Sequence, residues 1–414
     1  MRATCIFVSL FFATAFFTSC KKEAITDSNT GFIKVLECDT NIATVGSILL
    51  SDNSLIVVCR AIDELSPGYM YKLDSHGNRV WEKRLYDTNK GVCQVYDLAG
   101  NGFAVLGFDN SNTDPFFQVF IYDDDGNFLL SKTIPINYHP WYTILYFPPM
   151  QMLQLSNGNF VFAVNDGVML LSFTNSSFDT LFTKTVPISQ GGSFIRGICQ
   201  NTDSTILFAN AAPLADSTYT HWDFDVHLTQ TDLNGNIITN DSIHDPSYNE
   251  TPNALLPMGN KMFMVTGRMG KFNQSSGTIV NYLDNGLAAM ISGDINLVQL
   301  TRGGQFESRQ SIHDYPANGI VMTAHPTSDG GYILCGTVNQ SDQVNLISPT
   351  KIYLMKVDAS GKFEWSKKVN TIHPSFGVDA VQRSDGGYYI SGYEKTFDKH
   401  YNPIVIMTDP NGDY

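Results

Sequence analysis

The sequence predicts an all-β chain folded as a seven-bladed β-propeller, its ring closed by an N-terminal strand at residues 31–38. Three observations carry this expectation. The stretch YMYKLDSHGNRVWEKRL at 69–85 has a near-copy, YLMKVDASGKFEWSKKV, at 353–369. Apolar runs opened by a turn, such as TSDGGYILCGT (327–337) and RSDGGYYISGY (383–393), recur along the chain. The sequence closes on TDPNGDY (408–414), which begins a repeat without its second half.

Each element follows from local chemistry. The Asp-x-x-Gly unit occurs at Asp74–Gly77, Asp123–Gly126, Asp232–Gly235, Asp358–Gly361 and Asp409–Gly412, with degenerate versions at Thr174–Ser177 and Thr301–Gly304. Gly at the end of such a unit tolerates positive φ, so each reads as a tight hairpin turn. In the sixth copy the four strands are GIVMTAHP, GYILCGT, TKIYLMKV and KFEWSKKV, here strands a, b, c and d. These are rich in β-branched and aromatic residues, as strands should be. Strand b recurs near 54–62, 102–108, 159–165, 205–211, 261–267, 331–337 and 387–393, which makes seven units. Dividing residues 30–414 by seven gives about 55 per unit, a propeller-sized period.

The seventh unit has a, b and c (NPIVIMTD) and then stops. Elsewhere the residue four after the turn Gly is bulky and the one six after is often Lys: Trp81 and Lys83, Leu130 and Lys132, Trp365 and Lys367. Phe32 and Lys34, in GFIKVLECD, have the same mutual spacing. The N-terminal strand is therefore expected to supply strand d of the last blade, which removes an open sheet edge.

The D-x-x-G-x-x-x-W unit resembles the quinoprotein-like and WD40-like propeller repeats over essentially the whole chain after residue 30. It departs from them in its degenerate Trp, and the dipeptide Trp222-Asp223 does not recur. The resemblance implies a fold and no particular activity, because propellers host unrelated functions.

Residues 1–19 read as a signal peptide, with Arg2 ahead of an apolar run from Cys5 to Phe17. Phe17-Thr18-Ser19-Cys20 resembles a bacterial lipobox, which implies diacylglycerol on the Cys20 thiol. Residues 20–30 then form the lipidated Cys and a polar tether, and residues 31–414 the propeller. Lys21-Lys22-Glu23 resembles the export signals of Bacteroidota surface lipoproteins. The expected location is the outer membrane, lipid-anchored, on the cell surface.

With 26 basic against 40 acidic residues the net charge is −14, which argues against nucleic acid as a partner. Beyond Cys5 and Cys20, the thiols Cys38, Cys59, Cys93, Cys199 and Cys335 form neither a CxxC nor an even set, and are expected to be buried and free. No cofactor fingerprint is present, no metal site is expected, and a monomer is.

Function is expected on one face. In a blade of alternating strands the a–b and c–d turns share one end and are uniformly short. The b–c and d–a loops share the other and are long. Loops on a rigid scaffold carry binding residues. Tyr138, His139, Trp141, Tyr142, Tyr219, Trp222, Tyr282, Tyr315 and Tyr401 fall on this long-loop face beside Asn, Asp and Ser, a composition suited to a glycan or a protein. His139, His244, His313 and His373 recur at the d–a junction and read as structural repeat residues. Asp123-Asp124-Asp125-Gly126 reads as a turn rather than a calcium loop. The carboxylates Asp109, Asp216, Asp223, Glu250, Asp284, Asp314, Glu394 and Asp398 read mostly as solvated loop charges. No nucleophile elbow or HExxH is present. Three readings stay open: a non-enzymatic binding propeller, a propeller glycoside hydrolase or lyase, and an envelope assembly scaffold.

Overall fold

A computed structural model describes residues 31–38, 40–62, 68–85, 90–98, 101–109, 116–135, 150–165, 168–187, 194–202, 204–215, 222–243, 248–270, 295–312, 318–339, 350–396 and 400–414. Residues 1–30, where a signal peptide, Cys20 and a polar tether are expected, lie outside the described residues.

The short first strand is β1 (Phe32–Val35). Blade one is β2 (Ile42–Leu49), β3 (Leu55–Ala61), β4 (Tyr69–Leu73) and β5 (Arg79–Arg84). Blade two is β6 (Lys90–Asp97), β7 (Phe103–Asp109), β8 (Phe116–Tyr122) and β9 (Phe128–Ile134). Blade three is β10 (Met150–Gln154), β11 (Phe160–Asn165), β12 (Met169–Thr174) and β13 (Thr180–Val186). Blade four is β14 (Phe194–Thr202), β15 (Thr205–Ala215), β16 (Trp222–Asp232) and β17 (Ile237–Ile243). Blade five is β18 (Tyr248–Met258), β19 (Lys261–Gly270), β20 (Ile295–Thr301) and β21 (Phe306–Ile312). Blade six is β22 (Asn318–Pro326), β23 (Tyr332–Asn339), β24 (Thr350–Val357) and β25 (Phe363–Lys368). The last blade joins β26 (Ser375–Gln382), β27 (Tyr388–Lys395) and β28 (Tyr401–Thr408) to β1. Every sheet is four-stranded, and the last has the order β1-β28-β27-β26.

The seven-bladed propeller is closed by its N-terminal strand. Phe32 pairs with Met407, Ile33 with Ile406, Lys34 with Val405 and Val35 with Ile404, all antiparallel. Pairing is shorter than the 31–38 expected from sequence. The Leu36 amide still bonds the Pro403 carbonyl at 2.8 Å, and the chain then turns away towards blade one.

Alternation along each strand sends one set of side chains to the preceding blade and the other to the following one. Seven apolar clusters result, one per seam. The closing seam places Phe32, Leu36, Tyr389 and Val405 of blade seven against Leu55, Val57, Tyr71 and Leu73 of blade one.

The c–d turn explains why Asp and Gly recur. Asp74 Oδ1 accepts hydrogen bonds from the His76 and Asn78 amides at 2.9 and 2.7 Å, and the Gly77 amide closes the turn on the Asp74 carbonyl. Gly77 sits at φ +74° with the Phe32 ring packed where a Cβ would be. Trp81 fills that place under Gly126, and Trp365 under Gly412, so Phe32 does stand in the Trp position of its blade. The run at 123–126 is the same turn, closed by the Gly126 amide on the Asp123 carbonyl.

In blade three the turn lies one residue later than the sequence frame Thr174–Ser177. The Phe178 amide bonds the Asn175 carbonyl, and Asn175 Oδ1 caps Ser177 and Asp179 as Asp does elsewhere. Phe178 takes φ +63° in place of Gly and stacks on Phe160 at 4.4 Å.

The recurrent Lys is an inter-blade tie. Lys34, Lys83, Lys132, Lys184 and Lys367 each reach from strand d to the residue that ends the next blade's c–d turn: Asn78, Asn127, Asp179, Asn236 and Asp413. Lys34 and Lys83 also donate to the carbonyls of Gly77 and Asp125. In blades four and five this position is Asp241 and Gln310.

All five cysteines after residue 30 are free thiols. Cys59, Cys93, Cys199 and Cys335 are buried, but Cys38 follows β1 in a loop and is half-exposed, contrary to expectation. Burial pushes the Cys93 and Cys199 thiols up to about 12, which keeps them unreactive. No helix among the described residues is long and apolar enough to cross a membrane.

Candidate binding face

Tyr138, His139, Trp141, Tyr142, Tyr219, Tyr282 and Tyr315 lie outside the described residues. Trp222 opens β16, where its backbone pairs with Ala215. Of the sequence candidates, Tyr401 has described side-chain surroundings, and these form an aromatic platform.

Phe376 near the start of β26, Tyr393 near the end of β27 and Tyr401 at the start of β28 meet at the long-loop end of blade seven. Phe376 and Tyr393 are register partners stacked at 4.9 Å with 18° between their planes. Tyr393 lies 5.8 Å from Tyr401. With Ala43 and Ile62 of blade one and Val378 they form a small apolar cluster, distinct from the seam cores. Tyr393 is 6% exposed, whereas Phe376 and Tyr401 remain half-exposed. Two of its three rings therefore keep some solvent exposure.

Its rim is polar and held in place. Lys395 Nζ lies 5.3 Å from the Tyr401 ring centroid. The Tyr401 amide donates to Asn41 Oδ1 at 2.7 Å, and His400 Nε2 bonds the Cys38 carbonyl at 3.0 Å. Thr40 Oγ1 meets the Tyr69 hydroxyl at 3.3 Å. The returning N-terminal segment thus supplies one side of the platform, so ring closure also completes this surface.

Of the long-loop carboxylates, Glu250 and Glu394 have described side chains, and neither is a solvated loop charge; Asp109 ends β7 and Asp223 is the second residue of β16, while Asp216, Asp284, Asp314 and Asp398 lie outside the described residues. Glu250, in β18, is 1% exposed and accepts from Arg309 Nη2 at 2.9 Å and Asn296 Nδ2 at 3.3 Å. Glu394, in β27, is 6% exposed, and burial raises its pKa while nearby His373 partly offsets the rise. They belong to blades five and seven and do not form a pair. Of the four junction histidines, His373 alone is described, beside Glu394; His139, His244 and His313 lie outside the described residues. Among the described residues no three His, Cys, Asp or Glu side chains converge as metal ligands would.

Sequence reasoning missed a buried polar knot on the inner wall. The first strands of successive blades lie side by side around the ring. Asp379, in β26, accepts from the Ser47 amide and hydroxyl at 3.0 Å on one side. On the other it accepts from Thr323 Oγ1 at 3.0 Å and meets His325 Nε2 at 2.7 Å. One carboxylate therefore bridges blades six, seven and one. Burial alone would raise the Asp379 carboxyl, but His325 and the Ser47 and Thr323 donors hold it below its usual value. For His325 burial pulls downwards, and the charge and hydrogen bond of Asp379 prevail and raise it. The side chain of His325 is 40% exposed, whereas that of Asp379 is 5% exposed. Both Ser47 and His325 bond the carboxylate rather than each other, so this is a structural bridge and not a nucleophile–base relay. The available signal was a lone Asp inside the apolar run GVDAV (377–381).

No family model matches the chain, and no curated protein does. Among solved structures, a protein of unknown function from Dyadobacter fermentans is similar at 11% identity and TM-score 0.47, over 91% of this chain and 98% of that one. One of unknown function from Bacteroides caccae is similar at 14% identity and TM-score 0.40, over 80% and 94%. The PQQ domain of pyranose dehydrogenase from Coprinopsis cinerea is similar at 11% identity and TM-score 0.44, over 94% and 98%. None of them carries a ligand or an activity over to this chain.

Proposed function

We propose that this propeller is a cell-envelope lipoprotein, anchored through Cys20 to the outer membrane, that binds a glycan or a protein partner on its long-loop face without catalysing a reaction. The platform of Phe376, Tyr393 and Tyr401 supports the reading best. Stacked, partly exposed rings packed on an apolar cluster, with amide, hydroxyl and ammonium groups nearby, suit a sugar ring or an extended polypeptide. Hydrolysis of a glycoside would call for two carboxyl groups about 5–10 Å apart. Glu250 and Glu394, the long-loop carboxylates whose side chains are described, sit in different blades, and Glu250 is ion-paired.

A glycan array probed with the 21–414 fragment, and assayed in parallel for released product, tests this. Retention without product, reduced by Tyr401→Ala, is the expected result. Product release would move the protein to the enzyme reading. If no glycan is retained but a protein is captured, the partner is the protein.

A further inference from the structure

The anchor proposed above has a direction, and the fold supplies it. Phe32 pairs with Met407, next to the last residue of β28 and just before the Asp409–Gly412 turn. Gly31 packs so tightly against the Met407 carbonyl and the Tyr414 backbone that a Cβ would collide with both. The chain therefore enters the ring at the end that carries the a–b and c–d turns, opposite the long loops.

We infer, resting on the lipid-anchor reading, that the short-turn face is the one held against the lipid surface, and that the long-loop face is turned away from it. Ten residues separate Cys20 from Gly31. Their contour is at most about 33–36 Å. The eight residues of β28 span about 27 Å, so most of that contour would be consumed before the long-loop face could reach lipid.

A second observation lies at the same end. Val80, Leu129, Leu181 and Ile238 are each the second residue of strand d in blades one to four, three places after the turn's last residue, and each is between 52% and 56% exposed. Edge strands ordinarily carry charge at such places. Here one apolar side chain repeats at one position on four consecutive blades, forming an arc. A flat surface with an apolar interior meets an arc all at once, whereas a globular partner meets one or two blades. The equivalent positions in blades five, six and seven are Glu307, Glu364 and Gly31, the last being where the chain itself arrives. The turn carboxylates Asp74, Asp123, Asp232 and Asp358 share this face, so an uncharged lipid surface is favoured over an anionic one.

The test uses protein extracted from membranes and reconstituted into phosphatidylethanolamine vesicles that contain a quencher-labelled lipid. A fluorophore is attached through an azido side chain introduced at His76 or Asn234 on the short-turn face, or at Ile372 at the d–a end. Fluorescence should be lost at His76 and Asn234 and kept at Ile372. Equal loss at all three, or greater loss at Ile372, overturns the inference. Should mass analysis find no diacylglycerol on Cys20, the anchor reading falls by itself. The geometry is then measured by coupling Cys20 to a maleimide lipid in a Cys38→Ser background, with the same two outcomes.

Discussion

Removing β1 should cost the whole ring, and the cost can be worked from two side chains. Phe32 is 6% exposed and Leu36 is fully buried, both in the seam between the last blade and the first. Emptying a buried Phe site costs about 3–5 kcal/mol and a buried Leu site about 2–5. The two lie four residues apart in one cluster, so their effects overlap. The low ends together give about 5 kcal/mol. Unfolding entropy of about 2.1 cal/mol/K per residue over residues 31–414 amounts to about 0.8 kcal/mol/K. The fragment 39–414 should then melt about 6 °C below the fragment 21–414, while 29–414 should melt with the parent. Scanning calorimetry of the three fragments decides it, and size-exclusion chromatography should show 39–414 associating through the bared edge of β28. Equal melting of 29–414 and 39–414 would refute the closure argument and the count of seven blades with it.

The remaining expectations are more local. Lys83→Met should cost at most about 1 kcal/mol, as for other exposed ties, while Asp241→Lys should raise the melting temperature slightly by adding a tie to the blade-five turn; a drop instead would discount the Lys ties. Phe178→Gly should destabilise by about 2 kcal/mol, because losing a buried ring outweighs the roughly 1–2 kcal/mol of left-handed backbone cost it relieves. The His325–Asp379 bridge should make stability bell-shaped in pH. Asp379, whose folded pKa is depressed, contributes above its unfolded pKa and loses that contribution as pH falls through the folded one; His325, whose folded pKa is raised, contributes below its unfolded pKa and loses it as pH rises through the folded one. His325→Gln should flatten the alkaline limb in urea melts, and an unchanged limb would mean that the imidazole contributes nothing. Cys20→Ala should leave a protein that no longer partitions into detergent phase; partition like the parent would remove the lipid anchor.

The fold was legible because its determinants are local and repeated. An Asp whose carboxylate caps two amides, a Gly at positive φ and a bulky residue four places on are each readable at a fixed spacing, and Phe32 with Lys34 betrayed the displaced strand. The frame slipped where chemistry was substituted: Asn175 caps as Asp does, and Phe178 takes the glycine's backbone conformation, so the pattern pointed one residue early. Burial of Glu250 and Glu394 was hidden because a carboxylate at the mouth of a strand reads the same whether it faces a neighbouring blade or water. Asp379 was missed for a related reason: its partners, Ser47 and Thr323, come from two other blades, 332 and 56 residues away in sequence. The platform was half legible. Tyr401 stood out among loop aromatics, but Phe376 and Tyr393 looked like ordinary strand residues until register brought them beside it.

The claim that the long-loop face is the working face has a direct measurement. Ile372 is 89% exposed at the d–a end of the ring, and His76 is exposed in a c–d turn at the other. A bulky polymer attached to a Cys introduced at either place should leave the fold unchanged and cover one face. Retention on the glycan array, or on the protein partner if that is what is captured, should be lost with the adduct at Ile372 and kept with the adduct at His76. Loss with the His76 adduct and retention with the Ile372 adduct would place binding on the short-turn face and contradict the account.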